Sequence, residues 1–419
     1  MIVGHDSSLT RFANNTIHQN VSERSRWVSV RTMIDQRTAR ATTNRLDPPS
    51  IRRAVDEALA LTRSVQPESG MLALAEPEAI PALDRFDTQT AATGPDDRAK
   101  AVAESIRVVE QAAQTAAGIY STEQSVEAIF NSRGVAVYHT GTMATFSITA
   151  MDRDSSGWAK GSAVSRRDLD PIALARSASD KARLSRAPRE LSPGRYTVVL
   201  EPAAVLDVVG QMFGDFSGTA MADQRSFLNN RIGQRVFGAN IHIEDDARHP
   251  LQAGPAFDGE GTPRKRLTLV EAGVPRDLAY SRASAAQAGV VPTGHGFALP
   301  NEIGEAPMNI VVRGGDTPVS EMIASIDRGI LVTRLWYIRE VDPHEKMMTG
   351  MTRDGTFLIE GGQVVCGLRN FRFNQSLIEM LSHVEALSPA VRASGEEAFD
   401  MVVPAMKVAG FHFTEVTRF

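Results

Sequence analysis

Residues 196–218 read YTVVLEPAAVLDVVGQMFGDFSG. The stretch opens as a strand over residues 196–200, β-branched and apolar. Pro202 falls where a first helical turn tolerates proline. Val205, Leu206, Val208, Val209, Met212 and Phe213 then recur at helical spacing, and Gly214 and Gly218 offer places to stop. A strand running straight into a buried helix is a common mount for an active site. This helix carries Asp207, Gln211 and Asp215, but no His, Cys or Glu. Whether it performs chemistry, or only keeps the shape of a helix that once did, organises the rest of the chain.

With 419 residues the chain is too long for one small core, and two domains are expected, 1–190 and 191–419, parted at Leu191-Ser192-Pro193-Gly194. Hydrophobic residues at 42% and charged residues at 23% are ordinary for a globular protein. The net charge is −5 and the Lys and Arg residues are scattered, which argues against an electrostatic grip on nucleic acid. Cys366 is the single cysteine, so neither an internal disulfide nor a cysteine-based zinc cluster can form, and a reducing cytoplasm fits. The opening MIVGHDSSLT has no basic and apolar signal pattern. No apolar run approaches the ~20 residues of a membrane span. A cytoplasmic protein is expected, without nucleic-acid or membrane partners.

Along the chain, alternating residues predict strands at 9–12, 16–21, 27–34 and 38–43, then a helix opened by Leu46-Asp47-Pro48. Residues 66–98 read as a surface connection, and a helix is expected over 97–117. Strands follow at 125–132, 135–140, 143–152 and 157–164, and Leu169-Asp170-Pro171 opens another helix. The repeated Leu-Asp-Pro between a strand meander and an Ala/Arg-rich helix suggests an internal duplication of the N-terminal domain. Beyond residue 191, a strand at 240–244, a hairpin across Ala272-Gly273, a helix at 282–288, a strand at 308–312 and a helix at 319–328 are expected. A strand at 330–339, a second hairpin across Gly361-Gly362, a helix at 375–384 and strands at 401–408 and 411–417 complete the chain. The fold class is α+β, two domains of mainly antiparallel sheets with packed helices.

These pieces, in this order, resemble the TldD/PmbA family, once called modulators of DNA gyrase. The resemblance rests on the strand and helix at 198–210, Phe257-Asp258-Gly259-Glu260-Gly261, and VEAGVPRDLAYSRASAAQAG at 270–289. It continues through Pro292-Thr293-Gly294-His295, residues 322–332 and FLIEGGQV, with Ser7–Asn15 and Ile17-His18-Gln19 similar to the family's first strands. It implies a division of labour. TldD-type subunits carry H-E-x-x-x-H on the helix after this strand, where two histidines and a C-terminal cysteine hold a metal, usually taken as zinc. Such a set leaves a fourth position for water, from which the Glu takes a proton. PmbA/TldE-type subunits lack the motif and pair with the first type, in a protease that trims modified peptides or degrades unfolded ones. Here Leu206-Asp207-Val208-Val209-Gly210-Gln211 stands at the motif, and residues 390–404 hold no cysteine. The expectation is therefore a PmbA/TldE-type, non-catalytic subunit without its own metal, partnered by a zinc-bearing TldD-type chain in a heterodimer.

Other candidates carry weaker signals. Asp258, Gly259, Glu260 and Gly261, with Thr293, Gly294 and His295, form glycine-rich loops that could shape a peptide groove or subunit interface; a tight turn accounts for the first set. His242, Glu244 and His249 around Asp245-Asp246 resemble a metal cluster on paper, although a polar strand running into an acidic turn explains them too. Cys366 reads as a structural thiol, and Ser8, Ser226 and Ser284 lie in no nucleophile motif. Two alternatives stay open: a homodimeric peptide-binding or regulatory protein, and a metallopeptidase using unconventional ligands such as His242 and His249.

Overall fold

The computed structural model describes residues 1–417. In its first half, β1 (Ile2–Ala13), β2 (Thr16–Ile34) and β3 (Arg37–Thr43) form a meander, and α1 (Pro48–Ser64) packs back on β2 and β3. A connection holding the short α2 (Thr88–Ala91) leads to α3 (Pro95–Gln111). A second meander follows, β4 (Thr115–Phe130), β5 (Ala136–Met151) and β6 (Ser156–Ala163), closed by α4 (Pro171–Leu184). The sheet order is β3-β2-β1-β4-β5-β6, so the first strands of the two meanders pair antiparallel at the centre. The order of three strands followed by a helix thus occurs twice. The sequence echo has a physical role in it. Asp47 accepts the Ser50 backbone N–H and Asp170 those of Ile172 and Ala173, each capping a helix that starts with proline.

In the second half, β7 (Gly194–Leu200) passes into α5 (Pro202–Val209), and a 3-10 stretch, Gly210–Phe216, leads to α6 (Gly218–Ala222). Next come β8 (Ile243–Asp245), β9 (Leu267–Glu271), β10 (Val274–Pro275), α7 (Arg282–Ala288), β11 (Ile310–Val312) and α8 (Val319–Ala324). The chain ends in β12 (Arg328–Asp342), β13 (Met347–Glu360), β14 (Gln363–Gly367), β15 (Phe371–Ser376), α9 (Leu377–Ser382), β16 (Val384–Leu387), β17 (Val391–Ala393), β18 (Met401–Val403) and β19 (Met406–Val416). One sheet runs β10-β9-β8-β11-β18-β17. The other runs β12-β7-β19-β15-β13-β14, and β12 also pairs with β13, so five strands close into a ring. Most pairings are antiparallel, those of β7 with β12 and β11 with β18 being parallel. Helix α5 touches β7 and β12 of the ring and β17 and β18 of the smaller sheet, which buries residues 204–209 completely. The architecture is α+β, with mainly antiparallel sheets.

Four helices are shorter than the periodicity predicts, among them 319–328, observed as Val319–Ala324, and 375–384, observed as Leu377–Ser382. The helix expected to Ala117 ends at Gln111, with Ala113 at φ 56°, because residues 115–130 find strand partners on both β1 and β5. The helix expected to Phe213 changes to 3-10 geometry at Gly210. The pairs of strands expected within residues 16–34 and 135–152 are each one long strand. Residues 371–376, the last two of them assigned to a helix from sequence, form β15 of the ring. Among the described residues, no helix is long and apolar enough to cross a membrane.

Candidate functional site

The three positions of the motif helix lie together under a loop. Leu206 and Asp207 on α5 are fully buried, and Gln211 follows in the 3-10 turn. Asp207 Oδ1 accepts the backbone N–H groups of Glu396 and Glu397, both at 3.0 Å, and Oδ2 is buried without a partner. The Gln211 amide donates to Asp207 O at 3.1 Å and Glu397 O at 3.3 Å. The loop lies so close that a Cβ on Gly395 would stand 2.1 Å from Asp207 Oδ1 and 2.6 Å from the Leu206 side chain. Glu397 extends the clasp, its carboxylate accepting the N–H groups of Tyr337 at 2.8 Å and Ile338 at 3.3 Å. From β6, Lys160 Nζ donates to Gly395 O at 2.6 Å, and Ser162 donates to Asp400 at 2.6 Å, so both halves of the molecule hold this loop.

Burial pushes the Asp207 carboxyl up to about 6, against the two N–H groups and the Arg334 charge, which favour the anion. The donor set does not fit a metal. Leu206 has no ligating atom, Gln211 turns its amide N–H groups to carbonyls, and the loop fills the space before the carboxylate. Among the described residues, no three His, Cys, Asp or Glu side chains gather as a metal-holding group.

The glycine-rich loops meet elsewhere in the second half. Asp258 is buried and accepts N–H groups from Glu260 and Thr262 on Oδ1 and from Gly296 on Oδ2, at 2.9 to 3.0 Å. Burial pushes its carboxyl up against those three bonds. Gly261 takes φ +81°, the turn geometry that its neighbours Gly259 and Glu260 lead into. Glu260 faces Arg282 at 3.2 Å, and burial raises its carboxyl against that charge. His295, a candidate for lining a peptide groove, is buried beside Asp245. Its Nε2 lies 3.2 Å from Asp245 Oδ1, and Nδ1 meets Thr293 Oγ1 at 2.9 Å. Asp245 Oδ2 accepts the Met308 and Asn309 N–H groups. Burial raises this carboxyl, but His295 and the Asn309 N–H outweigh it and hold it below its ordinary value. Gly259 and Gly294 pack against backbone, the first toward Ala298 and the second toward Pro263.

Comparison with known proteins places this architecture. The model for the PmbA/TldA metallopeptidase C-terminal domain matches residues 193–415, the central-domain model residues 72–186, and the domain 1 model residues 2–62. The chain belongs to the PmbA/TldD family. Within this family, a metalloprotease of Methanothermobacter thermautotrophicus is 24% identical over 65% of this chain and 62% of its own length. A metalloprotease TldD homolog of Buchnera aphidicola is 26% identical over 48% of this chain and 42% of its own length. These stretches therefore span less than two thirds of those relatives. TldE from Thermococcus kodakarensis has the same fold, with a TM-score of 0.88 at 20% identity over 99% of this chain and 96% of that one. A Thermotoga maritima protein described as a candidate modulator of a DNA gyrase also superposes at 0.88, with 18% identity over 99% and 95%.

Other polar side chains of this PmbA/TldD chain have structural partners. Glu244 pairs with Arg266 and Arg313, His242 accepts the Ala272 N–H, and His249 accepts that of Leu251. Asp245 turns inward, so the paper cluster splits across two faces. Ser226 ties Asp215 O to the Leu228 N–H, Ser8 meets Ser22 across the strand pair, and Ser284 completes a capping box on α7. Cys366 lies half-buried on β14, and burial raises its thiol. Glu305 escaped sequence reasoning. Buried, it accepts from Ser217, Thr219, Ser281 and Ser284, which outweigh burial and hold its carboxyl below the usual range. Only the two capping serines ahead of α6 and α7 hinted at such a partner.

Proposed function

We propose that this chain is the non-catalytic subunit of a PmbA/TldD-type metalloprotease, paired with a zinc-bearing TldD-type subunit that acts on unfolded or modified peptides. One observation carries the reading: the carboxylate at the general-base position serves as an acceptor for the backbone of residues 396 and 397. A general base must reach a water on a metal; this one has neither a ligand set beside it nor open space before it. The helix thus works as a clasp, joining α5, the bulge of β12 at Tyr337 and the loop held from β6. In this reading the surface around the clasp completes a chamber whose chemistry lies in the partner.

Co-expression with a TldD-type homologue from the same source, followed by size-exclusion chromatography and a peptidase assay on an unfolded peptide, tests the reading. A mixed dimer, with activity at least tenfold above either chain alone, is expected. Activity indifferent to this chain would sink it. Recovery of this chain only with itself would favour a homodimeric binding protein instead.

A further inference from the structure

We infer that the outer edge of β5, from Ala136 to Thr140, is a docking groove for one extended peptide strand with basic flanks. This deepens the peptide-handling function proposed above and rests on it.

The phase of β5 is fixed from both ends. Asn131 N donates to Val135 O at 3.1 Å, so odd-numbered residues turn their backbone toward β4. Thr142 N donates the other way, to Arg85 O at 2.9 Å, and pairing with β6 begins only at Ala144. Because alternate residues bond to opposite sides, the N–H and C=O groups of Ala136, Tyr138 and Thr140 face outward. Among the described residues, none of the three has a backbone partner on that side. Open edges are ordinarily blocked by charge, yet residues 136–142 carry none except as His139 allows.

The edge is walled rather than bare. Residues 78–83 run beside it, and Ile80, Pro81 and Leu83 with Val137, Tyr138 and Phe257 enclose a groove of about 410 Å3. The wall is strapped at both ends. Buried Arg85 donates to the carbonyls of Ala247, His249 and Pro250, and Ala75 O accepts from Asn131. The wall makes no ladder with β5, and Pro81 has no N–H to offer.

Alternating donors and acceptors along one line match the backbone of an extended chain, over about five residues or 17 Å. The apolar wall suits apolar side chains at alternate positions. Glu78 lines the groove and Asp84 follows Leu83 of the wall; both are exposed, without an ion-pair partner among the described residues, and favour basic residues at the ends. A second copy of this chain does not fit, because an edge strand brings its neighbouring strand with it, into the wall.

The probe is a fluorescein-labelled peptide, Lys-Val-Thr-Val-Thr-Val-Lys, titrated with the full chain in fluorescence anisotropy. Saturable binding is expected, lost when alternate backbone nitrogens of the peptide are methylated, and at least threefold weaker with glutamate flanks. Tyr138→Pro removes one outward N–H and no internal bond, so it should fold and bind at least tenfold more weakly, whereas Tyr138→Ser should stay within about threefold of wild type. No saturable binding, equal binding of the methylated peptide, or a Tyr138→Pro protein that dissociates from dimer to monomer overturns the inference. Association with a TldD-type subunit, measured on the same preparations, reports separately on the function proposed above. Pairing without peptide binding defeats only the groove; peptide binding without pairing defeats only the subunit role.

Discussion

Asp207 and Asp245 are both fully buried carboxylates in the second half, and their surroundings move them in opposite directions. Each accepts two backbone N–H groups, on Oδ1 for Asp207 and on Oδ2 for Asp245. The difference is the other oxygen. Asp245 Oδ1 has His295 beside it, whereas Asp207 Oδ2 has nothing. Two backbone donors and the Arg334 charge therefore fail to offset desolvation at Asp207, whereas His295 and the Asn309 N–H succeed at Asp245. The carboxylate on α5 is kept at a cost in stability, and the one at the end of β8 contributes to it.

The largest effect is expected from Asp245→Ala. It leaves the buried N–H groups of Met308 and Asn309 without their acceptor and a void beside His295, which costs about 3–5 kcal/mol. Urea unfolding measures it, and a loss below about 1 kcal/mol would break the contrast. Asp207→Asn should go the other way. The folded carboxyl titrates near 6 and the unfolded one near 3.8, so the folded state holds the proton more tightly. Wild-type stability from this group falls as pH rises from 4 to 6, then stays flat. The amide variant lacks that slope and should be more stable at pH 7.5, by at most about 3 kcal/mol. Denaturation curves at pH 4.5 and 7.5 decide it; an unchanged slope would refute the account.

Gly395→Ala strains the clasp from the loop side. Its Cβ meets both Asp207 Oδ1 and Leu206, so a loss of about 1–3 kcal/mol is expected in thermal unfolding. The smallest effect belongs to Leu206→His combined with Gln211→His. Restoring two imidazoles supplies no thiolate and leaves the loop in place. Zinc content by elemental analysis should stay below about one-tenth per chain.

Local patterns carried much of this into the sequence. Pro202 and the apolar spacing behind it revealed α5, Leu-Asp-Pro marked two capped helices, and Ala272-Gly273, both at positive φ, marked the β9–β10 turn. What stayed hidden is long-range. Nothing near residues 371–376 announces that they join β13 to β19, and the Ala-rich residues 112–117 have helix propensity that strand partners override. At α5 the buried apolar face was legible, but the clasp was not, because residues 396 and 397 offer Asp207 only their backbone. Glu305 likewise draws partners from residues 217, 219, 281 and 284.

The ring in the second half places its last strand, β19, between β7 and β15. Residues 194–200 thus wait for residues 406–416 before one of their edges is covered, and their other edge waits for residues 329–332. During synthesis the first six-stranded sheet can assemble as soon as residue 184 has emerged. The ring must remain open through more than two hundred further residues. High contact order of this kind makes folding slow and leaves apolar strand edges exposed meanwhile. The second half is therefore where refolding yield should depend most on protein concentration, and where a chaperone would have most to do.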